Sequence, residues 1–103
     1  INYILLVYMI LINYLYGCPY CKNAERMLKM YNVPYTKVIV TQKTKDSFKK
    51  KYQMNTFPQI FYRSSKMYKI GGFEELGALI QVTKILQEYA FNQTTINYFK
   101  QFI

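Results

Sequence analysis

The sequence contains no histidine and no tryptophan, and its 103 residues include only two cysteines. Without histidine, this chain alone cannot form a His-based catalytic triad, a Cys2His2 zinc site or a histidine proton switch. Two cysteines are also too few for a small domain held together by disulfides. The length fits one compact domain, which we predict to span residues 1–103. Acid–base chemistry must then come from Cys, Lys, Tyr or the few carboxylates.

Acidic residues are scarce as well. Five Asp and Glu stand against 14 Lys and Arg, which gives a formal net charge of +9. A basic surface raises nucleic acid or an anionic membrane as partners. However, the abundance of Ile, Lys, Asn and Tyr would also follow from an A/T-rich coding sequence, and runs of lysine usually face solvent. We therefore give the charge little weight. A basic module that binds nucleic acid through residues 43–51 remains one of the hypotheses for the function.

The N-terminal stretch, residues 1–16, carries no charge and is rich in β-branched and aromatic side chains. A membrane-spanning helix needs about 20 predominantly apolar residues, but Asn2 and Asn13 interrupt this shorter run. A signal peptide is also disfavoured, because no positive region precedes the run and no small-residue cleavage site follows it. The stretch therefore predicts a buried parallel strand, with Met9 as a candidate natural start and residues 1–8 as an N-terminal extension.

Periodicity along the rest of the chain predicts the element order β-α-β-α-β-β-α. Pro19 suits the first turn of a helix, and Asn32 and Pro34 end that helix. Its apolar face comprises Ala24, Met27, Leu28 and Tyr31. The further predicted elements are a strand over Tyr35–Val40, a helix over 45–53, a strand starting near Pro58, a strand over 66–70, a helix over 73–90 with the apolar residues Leu76, Leu79, Ile80, Ile85 and Leu86, and a short helix in the tail, 91–103.

This element order predicts an α/β fold. The early strand–helix–strand unit implies a parallel pair of strands joined by a right-handed crossover. The later hairpin adds antiparallel strands. We therefore expect a mixed four-stranded sheet with helices on both faces, and no internal repeat or linker divides the chain.

Cys18 and Cys21 form a Cys-x-x-Cys motif that follows the first strand and opens the first helix. A zinc site usually needs four thiolates or imidazoles, so a complete one would require another chain or unusual ligands. A static disulfide that closes so short a loop restricts few unfolded conformations and adds little stability. A redox pair needs only what the chain has. We therefore predict Cys18, where the helix start stabilises a thiolate, as the nucleophile and Cys21, one turn later, as the resolving thiol.

Three motifs resemble those of the glutaredoxin family. Cys18-Pro19-Tyr20-Cys21 is similar to that family's dithiol motif, Thr56-Phe57-Pro58 to its Thr-Val-Pro motif, and Gly71-Gly72-Phe73-Glu74-Glu75 to its Gly-Gly-x-Asp-Asp motif. Their order and spacing follow the family pattern over about residues 9–90. The resemblance implies a thioredoxin-like fold, glutathione as the co-substrate, and no metal. The tail, 91–103, lies outside this pattern.

The resemblance also implies roles around the first two motifs. Pro58 is expected to be a cis-proline that faces Cys18. The backbone of Phe57 is then expected to pair with the backbone of glutathione, as a short added strand. Tyr20 is expected to line the groove beside Cys18, although a trans Pro58 and a merely surface-exposed Tyr20 are the structural alternatives.

Further roles are implied at the third motif and at one lysine. Gly72 leads into a helix whose first-turn N–H groups, from Phe73 onward, are expected to hold the γ-glutamyl carboxylate of glutathione. Glu74 or Glu75 is expected to meet its ammonium, although two Glu in a first turn also simply favour the helix dipole. Lys45 is expected to contact the glycyl carboxylate as a point charge, and its alternative is a solvated lysine.

The resemblance therefore implies a glutathione-dependent thiol–disulfide oxidoreductase. Its expected partners are glutathione and glutathionylated or disulfide-containing proteins, with no nucleic acid and no membrane. We expect a monomer in the reducing cytoplasm. The alternative is a dimeric carrier of a glutathione-ligated 2Fe–2S cluster, which Pro19 disfavours because the cluster-binding glutaredoxins usually have Gly or Ser there.

Overall fold

The computed structural model describes residues 10–100, and within the last helix it describes side chains as far as Leu86 together with that of Glu88. Residues 10–100 form the predicted order of strands and helices. The elements are β1 (Ile10–Leu15), α1 (Pro19–Met30), β2 (Tyr35–Val40), α2 (Lys45–Tyr52), β3 (Gln59–Arg63), β4 (Met67–Gly71) and α3 (Phe73–Lys100). β2 matches its predicted range to the residue, and the bounds of α1, α2, β3 and β4 lie within about two residues of theirs.

The strands form one mixed sheet in the order β2-β1-β3-β4. β1 pairs in parallel with β2, whereas β3 runs antiparallel to both β1 and β4. α1 and α3 pack together on one face of the sheet. α2 covers the other face, where the ring centroid of Tyr52 lies 5.0 Å from that of Phe61. The predicted α/β class, with a mixed four-stranded sheet and helices on both faces, is confirmed.

The main core lies between the sheet and the helices α1 and α3. Ile12 of β1 and Ile60 of β3 are opposite each other in the ladder, so their side chains point to the same face. There they pack with Leu28 of α1 and Leu76 of α3, and all four side chains are buried. Burial of side chains of this size contributes roughly 1.5–3 kcal/mol each. This contact therefore holds both helices on the sheet.

β1 is buried on both faces, as the uncharged N-terminal stretch predicts. Every residue from Ile10 to Tyr14 is buried, which is typical of a central strand with helices on both sides. The stretch before it, which includes the candidate start Met9, lies outside the described residues. Between residues 10 and 100, no helix is both long enough and apolar enough to cross a membrane.

The last helix is longer than predicted. α3 runs without a break from Phe73 to Lys100, so the prediction of an end near residue 90 and of a separate tail helix is wrong. The physical reason is that residues 78–100 contain neither proline nor glycine, the two residues that most strongly interrupt a helix. The expected packing of the tail side chains on the body falls outside the described residues.

Part of the predicted apolar helical faces is exposed. Leu79, Ile85 and Leu86 of α3 have 40%, 57% and 60% of their surface accessible, and Tyr31, just after α1, has 46%. For Ile85 and Leu86 the cause is a difference in length. The 28 residues of α3 span about 42 Å, whereas strands of five or six residues span only about 20 Å. Ile85 and Leu86 lie about 20 Å from the start of α3, at the limit of the sheet, and the rest of the helix extends past it.

A polar cluster ties α1 to β2. The Tyr35 hydroxyl donates a hydrogen bond to Glu25 Oε2 (2.6 Å), and the Lys37 ammonium lies 2.9 Å from the same oxygen. Partial burial raises the pKa of Glu25, but the hydrogen bonds from Tyr35 and Lys37 outweigh it and hold that pKa below its ordinary value. Burial and the hydrogen bond to Glu25 raise the pKa of Tyr35 to about 12. Glu25 is therefore an ionised acceptor with two donors.

Tyr35→Phe should lower the free energy of unfolding by about 1–2 kcal/mol, because it removes one hydrogen bond from the partly buried Glu25 carboxylate. The measurement is a urea unfolding curve at neutral pH. Tyr68→Phe, at an exposed position of β4, is the matched control. Equal unfolding midpoints for the two variants would contradict the role of this hydrogen bond.

Candidate active site

The Cys-x-x-Cys motif lies where β1 turns into α1. Gly17 makes the turn with a φ of 85°, a conformation that glycine adopts without steric cost. Cys18 is the N-cap residue of α1, and its N–H donates to the carbonyl of Leu15 at 3.1 Å. Pro19 occupies the start of the helix, where its missing N–H is not needed. These residues set the Cys18 thiol at the positive end of a helix.

The Cys18 sulfur is partly exposed and is held by two backbone groups. Its Sγ accepts a hydrogen bond from the N–H of Cys21 (3.4 Å), so the helix start stabilises negative charge on this sulfur. The thiol can also donate to the carbonyl of Phe57, whose oxygen lies 3.6 Å from Sγ. Both cysteines are free thiols. Cys18 is therefore accessible to a disulfide substrate and fixed between two turns.

Cys21 lies one helical turn further along, and none of its surface is exposed. Burial, together with a hydrogen bond to Cys18, raises the pKa of Cys21 to about 12. At neutral pH Cys21 is consequently a protonated thiol. The site thus contains one accessible sulfur that can attack first and one buried sulfur that can act only after it loses a proton.

The loop between α2 and β3 forms the second side of the site. It carries Thr56, Phe57 and Pro58, and the Phe57–Pro58 peptide bond is cis, as expected from the resemblance. The Phe57 side chain is buried in the main core. Its carbonyl oxygen, in contrast, contacts the Cys18 thiol. Burial of the side chain therefore leaves the Phe57 backbone beside the reactive sulfur.

The turn between β4 and α3 forms the third side. Gly71 has a φ of 130°, and a Cβ there would lie 2.7 Å from the Glu75 side chain, so this position favours glycine. A Cβ on Gly72 would lie 3.8 Å from the carbonyl oxygen of Pro58, which places this turn against the second loop. The N–H of Leu76 bonds back to Gly72 at 3.0 Å. The backbone N–H groups between Gly72 and Leu76 belong to the helix start, and helix starts are general binding places for anions.

The two glutamates at the start of α3 differ in their contacts. Glu75 Oε1 accepts a hydrogen bond from the backbone N–H of Gly72 (2.8 Å), which is a capping-box contact. Its carboxylate is therefore engaged with its own helix start. Both glutamates are exposed, but only Glu74 is without a capping contact, and its carboxylate can therefore meet the ammonium of a ligand.

Two aromatic rings connect the first motif with the third. The ring of Tyr20, 60% exposed, lies 6.3 Å from the ring of Phe73 between their centroids, within the range of favourable aromatic pairs. Lys45 is different from the other predicted site residues. It begins α2 and is half-buried, and no hydrogen bond or ion pair within residues 10–100 joins it to Cys18 or to the other turns.

The three neighbouring turns carry all the predicted site residues except Lys45. These residues are Cys18, Tyr20, Cys21, Phe57, Pro58, Gly72, Phe73, Glu74 and Glu75. Within the described part of the chain, no three His, Cys, Asp or Glu side chains lie close enough together to hold a metal ion. Sequence reasoning missed one feature next to the site, a hydrogen bond between buried Asn13 and Gln59. The available signal was an amide residue in the middle of a buried strand.

A free thiol pair at the start of a helix, on a mixed four-stranded sheet and beside a proline loop, defines a thioredoxin-like thiol–disulfide oxidoreductase. Known proteins narrow this class. The family model for Glutaredoxin matches residues 5–65, more than half of the chain. The chain belongs to the glutaredoxin family, as its three motifs predict.

This chain is also similar to individual glutaredoxins. Glutaredoxin 1 of Rickettsia typhi is 34% identical over 98 residues, which cover 88% of this chain and 91% of that protein. The crystal structure of Glutaredoxin 1 from Francisella tularensis, complexed with cacodylate, has a TM-score of 0.61 at 28% identity and covers 76% of this chain and 95% of its own. The solution structure of Glutaredoxin from Brucella melitensis has a TM-score of 0.57 at 29% identity. The match covers 76% of this chain and 84% of that protein. The predicted thioredoxin-like fold is confirmed.

The burial of Cys21 predicts a steep pH dependence for its attack on a mixed disulfide at Cys18. Burial remains when Cys18 is in a disulfide, so the pKa of Cys21 stays raised and its thiolate fraction grows with pH. With a coloured aryl thiol attached to Cys18, release of the aryl thiolate should accelerate about tenfold per pH unit up to about pH 10, whereas attack by a thiol of ordinary pKa, about 8.5, would level off above about pH 9. Stopped-flow absorbance measures this rate.

Cys21→Ser is the control for this measurement, because it removes the attacking sulfur and should abolish the fast release at every pH. A release rate in the unsubstituted protein that levels off at or below about pH 9 would contradict a buried Cys21 with a raised pKa.

Proposed function

We propose that this protein is a glutathione-dependent reductase of protein–glutathione mixed disulfides and of protein disulfides. The observation that carries the proposal is the position of the Cys18 sulfur, accessible at a helix start and 3.6 Å from the carbonyl oxygen of Phe57. A peptide-like ligand bonded to this sulfur would lie alongside the Phe57 backbone, to which it could add as a short strand. Membership of the glutaredoxin family supports glutathione as this ligand.

The groups of glutathione have suitable partners around the reactive sulfur. Backbone N–H groups at the start of α3, after Gly72, suit the γ-glutamyl carboxylate. Glu75 caps its own helix, whereas the Glu74 carboxylate suits the ammonium of the γ-glutamyl group. Tyr20 and Phe73 form an aromatic wall beside the peptide. Lys45, which no hydrogen bond or ion pair within residues 10–100 joins to the other turns, carries a flexible charge for the glycyl carboxylate.

In the first step, the Cys18 thiolate attacks the glutathione sulfur of a protein–glutathione mixed disulfide. A sulfur–sulfur bond forms between Cys18 and glutathione while the bond to the protein sulfur breaks. The electron pair leaves on the protein thiolate, which takes a proton from water. The N–H of Cys21, 3.4 Å from Cys18 Sγ, stabilises the attacking thiolate before this step.

A second glutathione completes the cycle for a mixed disulfide. Its thiolate attacks the sulfur of the glutathione bonded to Cys18, so that glutathione disulfide leaves and the Cys18 thiolate is restored. One protein mixed disulfide has then been reduced at the expense of one additional glutathione thiol. Cys21 is not required for this route.

A protein disulfide requires both cysteines. The Cys18 thiolate forms a mixed disulfide with one protein sulfur and releases the other as a thiolate. Cys21 then loses its proton and attacks the Cys18 sulfur, which releases the first protein sulfur and leaves a Cys18–Cys21 disulfide. Two glutathione thiols reduce that disulfide and are themselves joined as glutathione disulfide, so the electrons balance.

The cellular setting follows from the same chemistry. A net charge of +9 should draw anionic glutathione and acidic target proteins toward the molecule, and the effect should weaken as salt screens it. A catalytic rather than structural disulfide fits a reducing compartment such as the cytoplasm. We expect the protein to act there as a monomer, without metal, nucleic acid or membrane as a partner.

Cys18→Ser should lose all activity on a glutathionylated peptide, because the one remaining thiol, that of Cys21, is buried. Cys21→Ser should keep this activity to within about threefold, since only the first sulfur is used, but should lose activity on a protein disulfide. The measurement is glutathione-dependent turnover of both substrates, with glutathione disulfide recycled by an excess of its reductase.

Two results would count against this account. Activity of Cys18→Ser on the glutathionylated peptide would overturn the assignment of the nucleophile. Turnover of protein disulfides by the unsubstituted protein with dithiothreitol, but none of either substrate with glutathione, would contradict glutathione dependence while leaving the oxidoreductase class intact.

A further inference from the structure

Two amide side chains are buried directly behind the site. Asn13 of β1 and Gln59 of β3 each have 0% of their surface exposed. Asn13 Nδ2 donates a hydrogen bond to Gln59 Oε1 (3.2 Å), and Gln59 Nε2 donates one to the carbonyl oxygen of Met54 (3.2 Å). Asn13 Oδ1 is buried too, and no group in the described part of the chain donates to it.

The amide pair stands at the end of the ladder that joins β1 to β3. Asn13 opposite Gln59 is the last pair of the register between these strands. Beyond this pair, β1 continues into the turn that carries Cys18, and β3 is preceded by the loop that carries Phe57. The side-chain hydrogen bond is therefore the last link between the two strands before the reactive sulfur and the Phe57 carbonyl.

Packing alone does not account for two buried amides at this place. The preceding pair on the same face, Leu11 opposite Phe61, is apolar and buried, so this face accommodates an apolar pair. A buried acceptor without a donor, such as Asn13 Oδ1, is unfavourable. An apolar pair in place of Asn13 and Gln59 would leave no such acceptor inside the sheet. The amides must therefore supply something that apolar side chains cannot.

What only the amides supply is a link to the loop before β3. Met54 follows Gln53, the C-cap residue of α2, and Asn55 and Thr56 after it are exposed. Exposed loop residues have few packing contacts, so the position of such a loop depends on how its ends are anchored. At the start of this loop the N–H of Met54 donates to the carbonyl of Lys49 (3.1 Å) and the Lys69 ammonium to that of Gln53 (3.4 Å). The hydrogen bond from Gln59 adds the link from the start of the loop to β3, and the buried side chain of Phe57 anchors its end.

We propose that Asn13 and Gln59 are positioning residues for the exchange reaction. Asn13 orients Gln59, Gln59 holds the carbonyl of Met54, and the loop so held presents the Phe57 backbone to whatever is bonded to Cys18. Neither amide touches the sulfur or the substrate. The inference rests on the proposed function in one respect, that the ligand received by the Phe57 backbone is glutathione.

The test replaces both amides together by apolar side chains of similar shape, Asn13→Leu with Gln59→Met. With both partners gone, no amide is left unpaired inside the sheet. The carbonyl of Met54, on a partly exposed loop, can turn to water. The midpoint of urea unfolding should therefore stay at or above that of the unsubstituted protein, while the hydrogen bond that joins the start of the loop to β3 is lost.

The double variant should raise the KM for a glutathionylated peptide about tenfold and leave kcat within about twofold, as when binding is weakened without a change in the chemical step. Amide hydrogen exchange at Thr56 and Phe57 should become about tenfold faster. Leu11→Ala is the matched control on the same face of the same strand. It should lower the urea midpoint and leave both the KM and the exchange of the loop amides unchanged.

An unchanged KM together with unchanged loop exchange in the folded double variant would overturn the proposal, and so would an equal rise in KM for Leu11→Ala. If the unsubstituted protein does not turn over the glutathionylated peptide, the proposed function fails, but the exchange rates still decide whether the amides position the loop. If the double variant does not fold, Asn13→Leu alone should raise the KM about threefold, and no rise would equally contradict the proposal.

Discussion

The direction in which the strands pair determines where the residues of the site lie. β3 runs antiparallel to β1, and β4 runs antiparallel to β3, so the end of β1, the start of β3 and the end of β4 meet at one edge of the sheet. Cys18 and Phe57, 39 residues apart in the sequence, come into contact there. Gly72 reaches the same edge and approaches Pro58. The buried core on β1 and β3 keeps the three turns together.

Local patterns in the sequence predict much of this arrangement. The alternation of β2, the proline that opens α1 and the three motifs each report on a few neighbouring residues. What the sequence did not predict depends on how the chain is arranged after folding. The hydrogen bond between Asn13 and Gln59 joins positions 46 residues apart, and the exposure of Leu86 follows from the length of α3 relative to the sheet. The capping contact of Glu75 is local, but it depends on the geometry of the turn at Gly72.

The different roles proposed for the two thiols follow from their positions one helical turn apart. Cys18, the N-cap residue, is partly exposed and accepts a hydrogen bond from the helix backbone. Cys21, within the first turn, is buried, and burial with the hydrogen bond to Cys18 raises its pKa to about 12. Because these surroundings come from the helix start itself, the proposed mechanism requires no histidine to distinguish the attacking sulfur from the resolving one. The lack of histidine in the sequence is therefore compatible with catalysis.

The central claim is that a glutathione bonded to Cys18 pairs with the backbone of Phe57. The most direct test is amide hydrogen exchange, followed by NMR, on Cys21→Ser before and after its conversion to the glutathione mixed disulfide. The account predicts that glutathione attaches to Cys18 and slows exchange of the Phe57 amide by about tenfold or more, while the amide of exposed Tyr68 is unaffected. Unchanged exchange at Phe57 with Cys18 fully glutathionylated would contradict the account.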